Sequence, residues 1–326
     1  MPDTPDPIRA IGISLGAGVC GAIQPDVNSA LGERLNSSLL AALANFLVAL
    51  LVALAVVSRR PGTRRHLVEV RDWPTPRWTR AAGLGGAMVV LAGVVTVERL
   101  GVAVFSIAFF AGQMTFGLVV DRLGISPGGR RPISRARVAS VVVAMAAVGV
   151  AQVGRPVGEL APTFVVFVVA AGAASALQSA SNGRIASSIG DPVAATALNV
   201  VVGTVCLASI SGGLALAGDI DAPQWPTEPW LYAGGVLGVT IVLALAAATS
   251  AIGVLRTTIA MLAAQLVAAF MVDWVARDET PAGGALAAAV LIVVAVSLVN
   301  RGHDRFGPHL PVPSLPLEGG GRRGGG

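Results

Sequence analysis

The sequence predicts an all-α integral membrane protein with ten transmembrane helices, arranged as two inverted five-helix repeats. Three observations lead to this fold class: a poorly charged composition, ten apolar segments of spanning length, and a set of amide residues that recurs along the chain. Charged residues make up 13% of the 326 residues, and the mean hydropathy is +0.74. A soluble domain carries about 25% charged residues, so a soluble globular protein is excluded.

Ten segments are long enough and apolar enough to cross a bilayer, which takes roughly 20 residues of helix. They are residues 10–31, 39–57, 81–97, 102–120 and 138–153, followed by 163–183, 193–217, 231–252, 257–276 and 282–300. Residues 301–326 are rich in Pro and Gly, and they predict a disordered cytoplasmic tail.

Polar residues recur between the two halves at nearly constant offsets. At an offset of 154 (178 − 24), Gln24, Asn28 and Asn45 recur as Gln178, Asn182 and Asn199. At an offset of 152 (265 − 113), Gln113 and Asp121 recur as Gln265 and Asp273. We therefore predict one repeat in residues 1–155 and a second in residues 156–300. Because five crossings end on the opposite side from their start, the second repeat is predicted to be inverted, as in many secondary transporters.

The arginines predict the orientation in the membrane. Arginine supplies all 23 basic residues, and 19 of them fall on the N-terminal side when the loops are assigned to alternate sides. The four on the other side are Arg34, Arg99, Arg155 and Arg277. The positive-inside rule then predicts a multi-pass protein of the cytoplasmic (inner) membrane with both termini cytoplasmic. The five Trp residues fall at span ends, where an interfacial aromatic belt is expected.

Amide side chains inside the predicted spans are the candidate substrate-binding residues. They are Gln24, Asn28, Asn45, Gln113, Gln178, Asn182, Asn199 and Gln265. Gln24 and Asn28 are four residues apart and share one helix face. An unsatisfied amide is costly in hydrocarbon, so such a face must meet another helix or a watery cavity. Two interpretations stay open: the amides line a solute cavity, or they form interhelical hydrogen bonds of ~0.6 kcal/mol each.

Asp26 is the acidic residue that lies well inside a predicted span, and its repeat partner is Ala180. A carboxylate near the bilayer centre costs about 2.5–3.5 kcal/mol, and Pro25 removes a backbone hydrogen bond beside it. We interpret Asp26 as a candidate proton-coupling residue. The alternative is a carboxylate that reaches interfacial water, because Asp26 lies about 200° around the helix from Gln24 and Asn28. Asp121 and Asp273 end the fourth spans and are assigned a boundary role.

Glycine motifs in the spans are expected to serve packing. Gly12-x-x-x-Gly16 and Gly234-x-x-x-Gly238 allow close helix approach. The spacing Gly16-x-Gly18-x-x-Gly21 matches a dinucleotide motif, but no strand precedes it. The sequence has no nucleophile–base or metal-ligand spacing, so it predicts no enzyme, no cofactor and no metal site. With one Tyr to stack on bases, no nucleic-acid partner is expected either.

The stretch from Gln24 to Leu35, followed by the run 38–46, resembles the opening of the YdcZ-like family. This family is a branch of the drug/metabolite transporter superfamily, and its members are described as inner-membrane exporters. Arg99-Leu100-Gly101 and the segment from Gln113 to Gly124 are similar to it as well. The resemblance covers about residues 10–300 and implies a fused pair of units that can otherwise occur alone.

Together the residues and the resemblance predict a secondary active exporter of a small organic solute or metabolite, working by alternating access. Proton coupling is an open option. Two other functions stay open: a non-transporting membrane assembly subunit, whose amides only hold helices together, and a lipid flippase. The expected partners are the solute and the lipid bilayer, and a homodimer is an open alternative.

Overall fold

A computed structural model of the protein describes residues 6–125, 130, 133–150, 162–218, 223–276 and 283–304. In these ranges the chain forms α-helices and short 3₁₀ turns, and no strand. The α-helices are α1 (Pro7–Leu35), α2 (Ser38–Ser58), α3 (Pro61–Val68), α4 (Gly83–Leu123), α5 (Arg135–Val150), α6 (Pro162–Ile189), α7 (Pro192–Ala217), α8 (Ala233–Ala276) and α9 (Gly283–Asp304). The 3₁₀ turns are Val70–Asp72, Arg77–Ala82 and Pro229–Tyr232.

Tight turns join α1 to α2 and α6 to α7. α1 ends where Asn36 takes a left-handed conformation (φ 48°), and the Ser37 hydroxyl then accepts a hydrogen bond from the Leu40 N–H at 3.2 Å. α6 ends before Gly190 (φ 71°), and Asp191 accepts bonds from the first N–H groups of α7. Left-handed residues followed by capping side chains end one helix and start the next, so each pair forms a hairpin.

The helices α4 and α8 are each too long for one crossing. They contain 41 and 44 residues, or roughly 60–65 Å at 1.5 Å per residue, about twice the hydrocarbon thickness of a bilayer. α4 is broken at Gly101, whose backbone (φ 72°, ψ 160°) is not helical. Positive φ at this point is accessible to glycine at little cost.

The two ends of α8 run in opposite directions along α1. Gln24 of α1 meets Gly238 and Asn28 meets Gly234, so α1 is antiparallel to the start of α8. Gly18 instead lies against Met261, and Gly21, three residues further on, lies against Gln265, four residues further on in α8. α1 is therefore parallel to the end of α8, as expected for two successive crossings.

The helical surface is that of a membrane protein. Five helical stretches of the described residues are long and apolar enough to span a bilayer: Ile8–Leu35, Ser38–Ser58, Arg77–Leu123, Pro162–Ile189 and Pro192–Ala217. Shorter apolar helices cover Pro229–Ala244, Ala260–Val275 and Gly283–Ala295. Leu51, Val166 and Val205 are 59–67% exposed on the outside of the bundle. Lipid, rather than water, is the solvent that such side chains require.

Helices of the first half pack mainly on helices of the second half. α1 lies along α8, α6 along α4, α2 along α7 and α5 along α9. The largest apolar core joins α4 to α1, α5, α6, α8 and α9, and it includes the buried Leu100, Ile107 and Ile292. The two halves therefore share one core.

Some sequence-based expectations need correction. A Cβ added at Gly12 or Gly16 would meet nothing within 4 Å, so this motif packs against no helix of the described residues, whereas Gly234 and Gly238 do contact α1. Trp73 is 6% exposed and its Nε1–H donates to the His66 carbonyl at 2.9 Å, so it does not belong to an interfacial belt.

The helix boundaries differ from expectation at two points. α3 was not expected, since it is short and polar. α9 continues to Asp304, so the chain remains helical past residue 301, and the rest of the predicted tail lies outside the described residues. The predicted boundary between the repeats, at 155, also lies outside them.

Candidate functional site

Three of the predicted amides converge on Gly234 at the start of α8. Gln24 Nε2 donates to the Gly234 carbonyl at 3.0 Å. Asn28 and Asn45 are 2% and 3% exposed, and both lie beside the Cα of Gly234. Glycine is required here because a Cβ at Gly234 would overlap Asn28 Oδ1, and one at Gly238 would lie 2.8 Å from Gln24 Nε2. We call Gln24, Asn28 and Asn45 the first amide cluster.

Two atoms of the first amide cluster are buried and have no hydrogen-bond partner within the described part of the chain. They are Asn28 Oδ1, an acceptor, and Asn45 Nδ2, a donor. A buried polar group without a hydrogen-bond partner lowers the stability of the fold by about 1–3 kcal/mol, whereas an amide at the surface is solvated by water. An acceptor and a donor next to each other therefore form a small region with unmet hydrogen-bonding capacity.

The corresponding residues of the second half form the second amide cluster: Gln178, Asn182 and Asn199. Gln178 Nε2 lies against Gly86 of α4, and the Asn199 carbonyl lies against Gly83. Here the two asparagines are bonded to each other, because Asn199 Nδ2 donates to Asn182 Oδ1. The two clusters thus contain the same residue types in different hydrogen-bonding states.

Gln113 and Gln265 lie apart from the asparagines, on the second parts of α4 and α8. Gln113 Nε2 donates to Ser175 Oγ of α6 at 3.3 Å. Gln265 is 5% exposed, and a Cβ at Gly21 of α1 would lie 2.8 Å from its Oε1. Each glutamine therefore faces the first helix of the opposite half, and neither joins the first or the second amide cluster directly.

Matched contacts link the two halves at the offsets found in the sequence. A Cβ at Gly18 would overlap the Met261 carbonyl oxygen, and a Cβ at Gly172 would overlap the Phe109 carbonyl oxygen. Gly18 and Gly172 are 154 apart (172 − 18), and Phe109 and Met261 are 152 apart (261 − 109). The contact between α1 and α8 is therefore repeated between α6 and α4.

Asp26 is half-buried on α1, which continues as one helix through Pro25. Pro25 therefore does not end the helix. Pro25 itself is buried and packs against α4, where a Cβ at Gly93 would lie 3.5 Å from it. Asp26 remains a candidate proton-coupling residue because of its position within α1.

Asp273 has a contact that sequence reasoning missed. Its carboxylate accepts the Val102 N–H at 2.8 Å and the Ala103 N–H at 2.9 Å, directly after the break at Gly101. The side chain is 6% exposed. A carboxylate favours the positive end of a helix, so Asp273 of α8 stabilises the start of the second part of α4. Its sequence counterpart Asp121 pairs instead with Arg137 of α5.

Loops that were assigned to the same side of the membrane contact one another. Arg34 and Glu228 form an ion pair at 2.8 Å on the side with few arginines. On the other side, His66 Nδ1 lies 3.2 Å from Asp191 Oδ2. Both contacts agree with the alternation of loops that the arginines predict.

The surroundings of the Asp191 carboxyl lower its pKa from the ordinary value. Partial burial acts to raise its pKa, but hydrogen bonds from Thr63, the Ala194 N–H, His66 and the Val193 N–H outweigh burial and lower the pKa. The ionised carboxylate thus ties α3 to the start of α7.

The sequence profile of a family described as putative inner membrane exporter, YdcZ, matches the chain twice, over residues 10–150 and 163–298. The chain belongs to this family. The two matches to the YdcZ profile agree with a tandem repeat, and the family is one of inner-membrane proteins with an exporter description.

One crystal structure is similar to the chain with a TM-score of 0.56 and 17% sequence identity, covering 91% of this chain and 98% of the other. At this identity the likeness shows the fold alone. No curated protein matches the sequence.

Proposed function

We propose that this member of the YdcZ family is a secondary active exporter that moves a small organic solute by alternating access. The observation that carries the proposal is the placement of the two amide clusters. Each lies where the first helix of one half meets the long helix of the other half. Burial of polar side chains inside a membrane costs free energy, and polar residues kept there commonly mark a substrate path.

The proposal includes two inverted repeats, residues 1–155 and 156–300, with both termini cytoplasmic. Four observations support it: the double match of the family profile, the repeated glycine contacts, the opposite directions of the two ends of α8, and the contacts between loops of one side. In inverted-repeat transporters the site lies at the repeat interface near the bilayer midplane, and the repeats rock about it.

The proposal is tested by export from cells and then by flux in proteoliposomes. Metabolites in the medium of cells that express the wild type are compared with those of cells that express Gln24→Ala/Asn28→Ala. Gly212→Ala is the matched control, because a Cβ there meets nothing within 4 Å. A solute exported by wild type and control, but not by the double variant, is then measured in counterflow with purified protein.

A non-transporting assembly subunit is the alternative, and the Gln24–Gly234 and Gln113–Ser175 hydrogen bonds favour it, since they hold helices together. Counterflow separates the two functions. If the flux of every solute tested equals that of empty liposomes, the exporter proposal is overturned and the assembly function remains.

Proton coupling through Asp26 is part of the same proposal. Asp26→Asn is expected to insert and fold normally, since Ala180 shows that the corresponding position tolerates a neutral residue. The variant should lose flux driven by a pH gradient and keep counterflow at uniform pH. Normal pH-driven flux in the variant would exclude Asp26 as the coupling residue.

A further inference from the structure

The two asparagine pairs differ in the structure although their residue types are the same. In the second amide cluster Asn199 Nδ2 donates to Asn182 Oδ1. In the first amide cluster Asn45 Nδ2 and Asn28 Oδ1 are the corresponding donor and acceptor, and neither has a hydrogen-bond partner among the residues that the structure describes. Both residues are at least 97% buried, so water outside the bundle does not satisfy them.

A single residue difference between the halves lies beside the open pair. A Cβ at Gly234 would overlap Asn28 Oδ1 and would lie 3.4 Å from Asn45 Nδ2. The offset of 152 that relates the long helices places Ala82 at the corresponding position of the first half (234 − 82). The glycine therefore leaves room for Asn28 Oδ1 to lean away from Asn45, whereas an alanine methyl group would push the acceptor towards the donor.

We propose that Asn28 Oδ1 and Asn45 Nδ2 form a subsite for a neutral polar group that both donates and accepts a hydrogen bond, and that Gly234 keeps this subsite open. A primary amide matches it best, because its N–H donates to Asn28 Oδ1 and its carbonyl accepts from Asn45 Nδ2. The inference rests on the proposed function, since it names the class of solute that the exporter would take.

The chemistry of the subsite disfavours charged groups. A carboxylate would accept from Asn45 Nδ2 but would face the Asn28 oxygen, another acceptor. An ammonium would donate to Asn28 Oδ1 but would face the Asn45 donor. A buried charge also requires a partner of opposite charge to offset its desolvation, and the first amide cluster consists of amides alone.

The test uses three probes of similar size: benzamide, benzoate and benzylammonium. Saturation-transfer difference NMR measures their binding to the purified full-length protein in detergent micelles. We expect benzamide to bind the wild type at least fivefold more tightly than either charged probe. Gly234→Ala should weaken benzamide binding by about tenfold or more, because the added methyl closes the pair. Ala82→Gly changes the corresponding residue of the other half and should retain benzamide binding.

A second variant keeps the test decisive if Gly234→Ala does not fold, as judged by gel filtration and circular dichroism. Asn45→Asp has nearly the same shape but replaces the donor by an acceptor, and it should lose benzamide as well. The proposal is overturned if the wild type does not bind benzamide, if the charged probes bind equally, or if a folded variant of Gly234 or Asn45 binds benzamide like the wild type. Benzamide binding without flux of any solute would overturn only the exporter function, and flux without benzamide binding would overturn only the subsite.

Discussion

Replacement of Asp273 by alanine is expected to be among the most destabilising single changes in the protein. The carboxylate accepts two backbone N–H groups, from Val102 and Ala103, at 2.8 and 2.9 Å, and all three groups are buried. A hydrogen bond to a charged group contributes about 1.5–3 kcal/mol, so the loss of two lowers the free energy of unfolding by about 3–6 kcal/mol. Asp273→Asn keeps one neutral carbonyl acceptor, whose hydrogen bond contributes about 0.5–1.5 kcal/mol, so it should cost somewhat less than Asp273→Ala.

The free energy of unfolding is measured in mixed micelles by titration with a denaturing detergent, followed by far-UV circular dichroism. Asp72→Asn, at an exposed carboxylate, is the matched control and should stay within about 0.5 kcal/mol of the wild type. The reasoning fails if Asp273→Ala and the control are equally stable. It also fails if Asp273→Asn costs as much as Asp273→Ala, since the carbonyl acceptor that Asn retains would then contribute nothing.

Gly172→Ala is expected to lower the free energy of unfolding by about 1–3 kcal/mol, because the new Cβ overlaps the Phe109 carbonyl oxygen. Gly212→Ala, with nothing within 4 Å, should leave it unchanged or raise it by up to about 1 kcal/mol. Asp191→Ala should lower the free energy of unfolding by about 1 kcal/mol at neutral pH, because a helix cap is lost. The difference from the wild type, measured by unfolding at several pH values, should become smaller below about pH 4. Gly62→Cys is expected to stay unlabelled by an impermeant thiol reagent on intact cells, because its loop is predicted to be cytoplasmic. It should react after permeabilisation.

The pH dependence at Asp191 follows from its lowered pKa. A carboxylate with a lowered folded-state pKa contributes its stability above the unfolded pKa and loses it as the pH falls through the folded pKa. A deficit that is constant between pH 7 and pH 3 would contradict this account. Such a result would show that the hydrogen bonds to the Asp191 carboxylate do not lower its pKa in the folded protein.

The glycine and the labelling predictions can each be contradicted by one result. Equal effects of the two glycine substitutions would show that the contact between α6 and α4 can relax. For the labelling, Cys20 and Cys206 are first replaced by alanine, and Glu228→Cys, on the opposite side, should be labelled on intact cells. Labelling of the Gly62 position under the same conditions would overturn the proposed orientation.

The sequence predicts the helices of this protein well because a bilayer imposes both length and apolar character. The predicted span 39–57 and the observed α2, Ser38–Ser58, differ by one residue at each end. The amide pairs were also found from the sequence, since polar residues stand out in apolar helices and recur at a fixed offset. The polar helix α3 carries neither signal, so it was missed.

Long-range contacts were beyond sequence reasoning for identifiable physical reasons. Gly12-x-x-x-Gly16 and Gly234-x-x-x-Gly238 have the same spacing, and only the position of a neighbouring helix decides that the second one is packed. The contact of Asp273 with Val102 joins residues 171 apart. A signal for it existed, because Gly101 begins a helix between two spans and such a start favours a carboxylate. The choice between Asp121 and Asp273 depends on the fold.

The packing of α1 on α8 has a consequence for the order of events during synthesis. Gln24 finds its acceptor 210 residues later in the chain, and a ribosome that adds about 5–20 residues per second takes roughly 10–40 s to make that length. During this delay the newly inserted first helix has none of the neighbours that α8 provides. The insertion machinery, or an earlier helix of the same chain, must shelter its amides from lipid until the second half of the protein arrives.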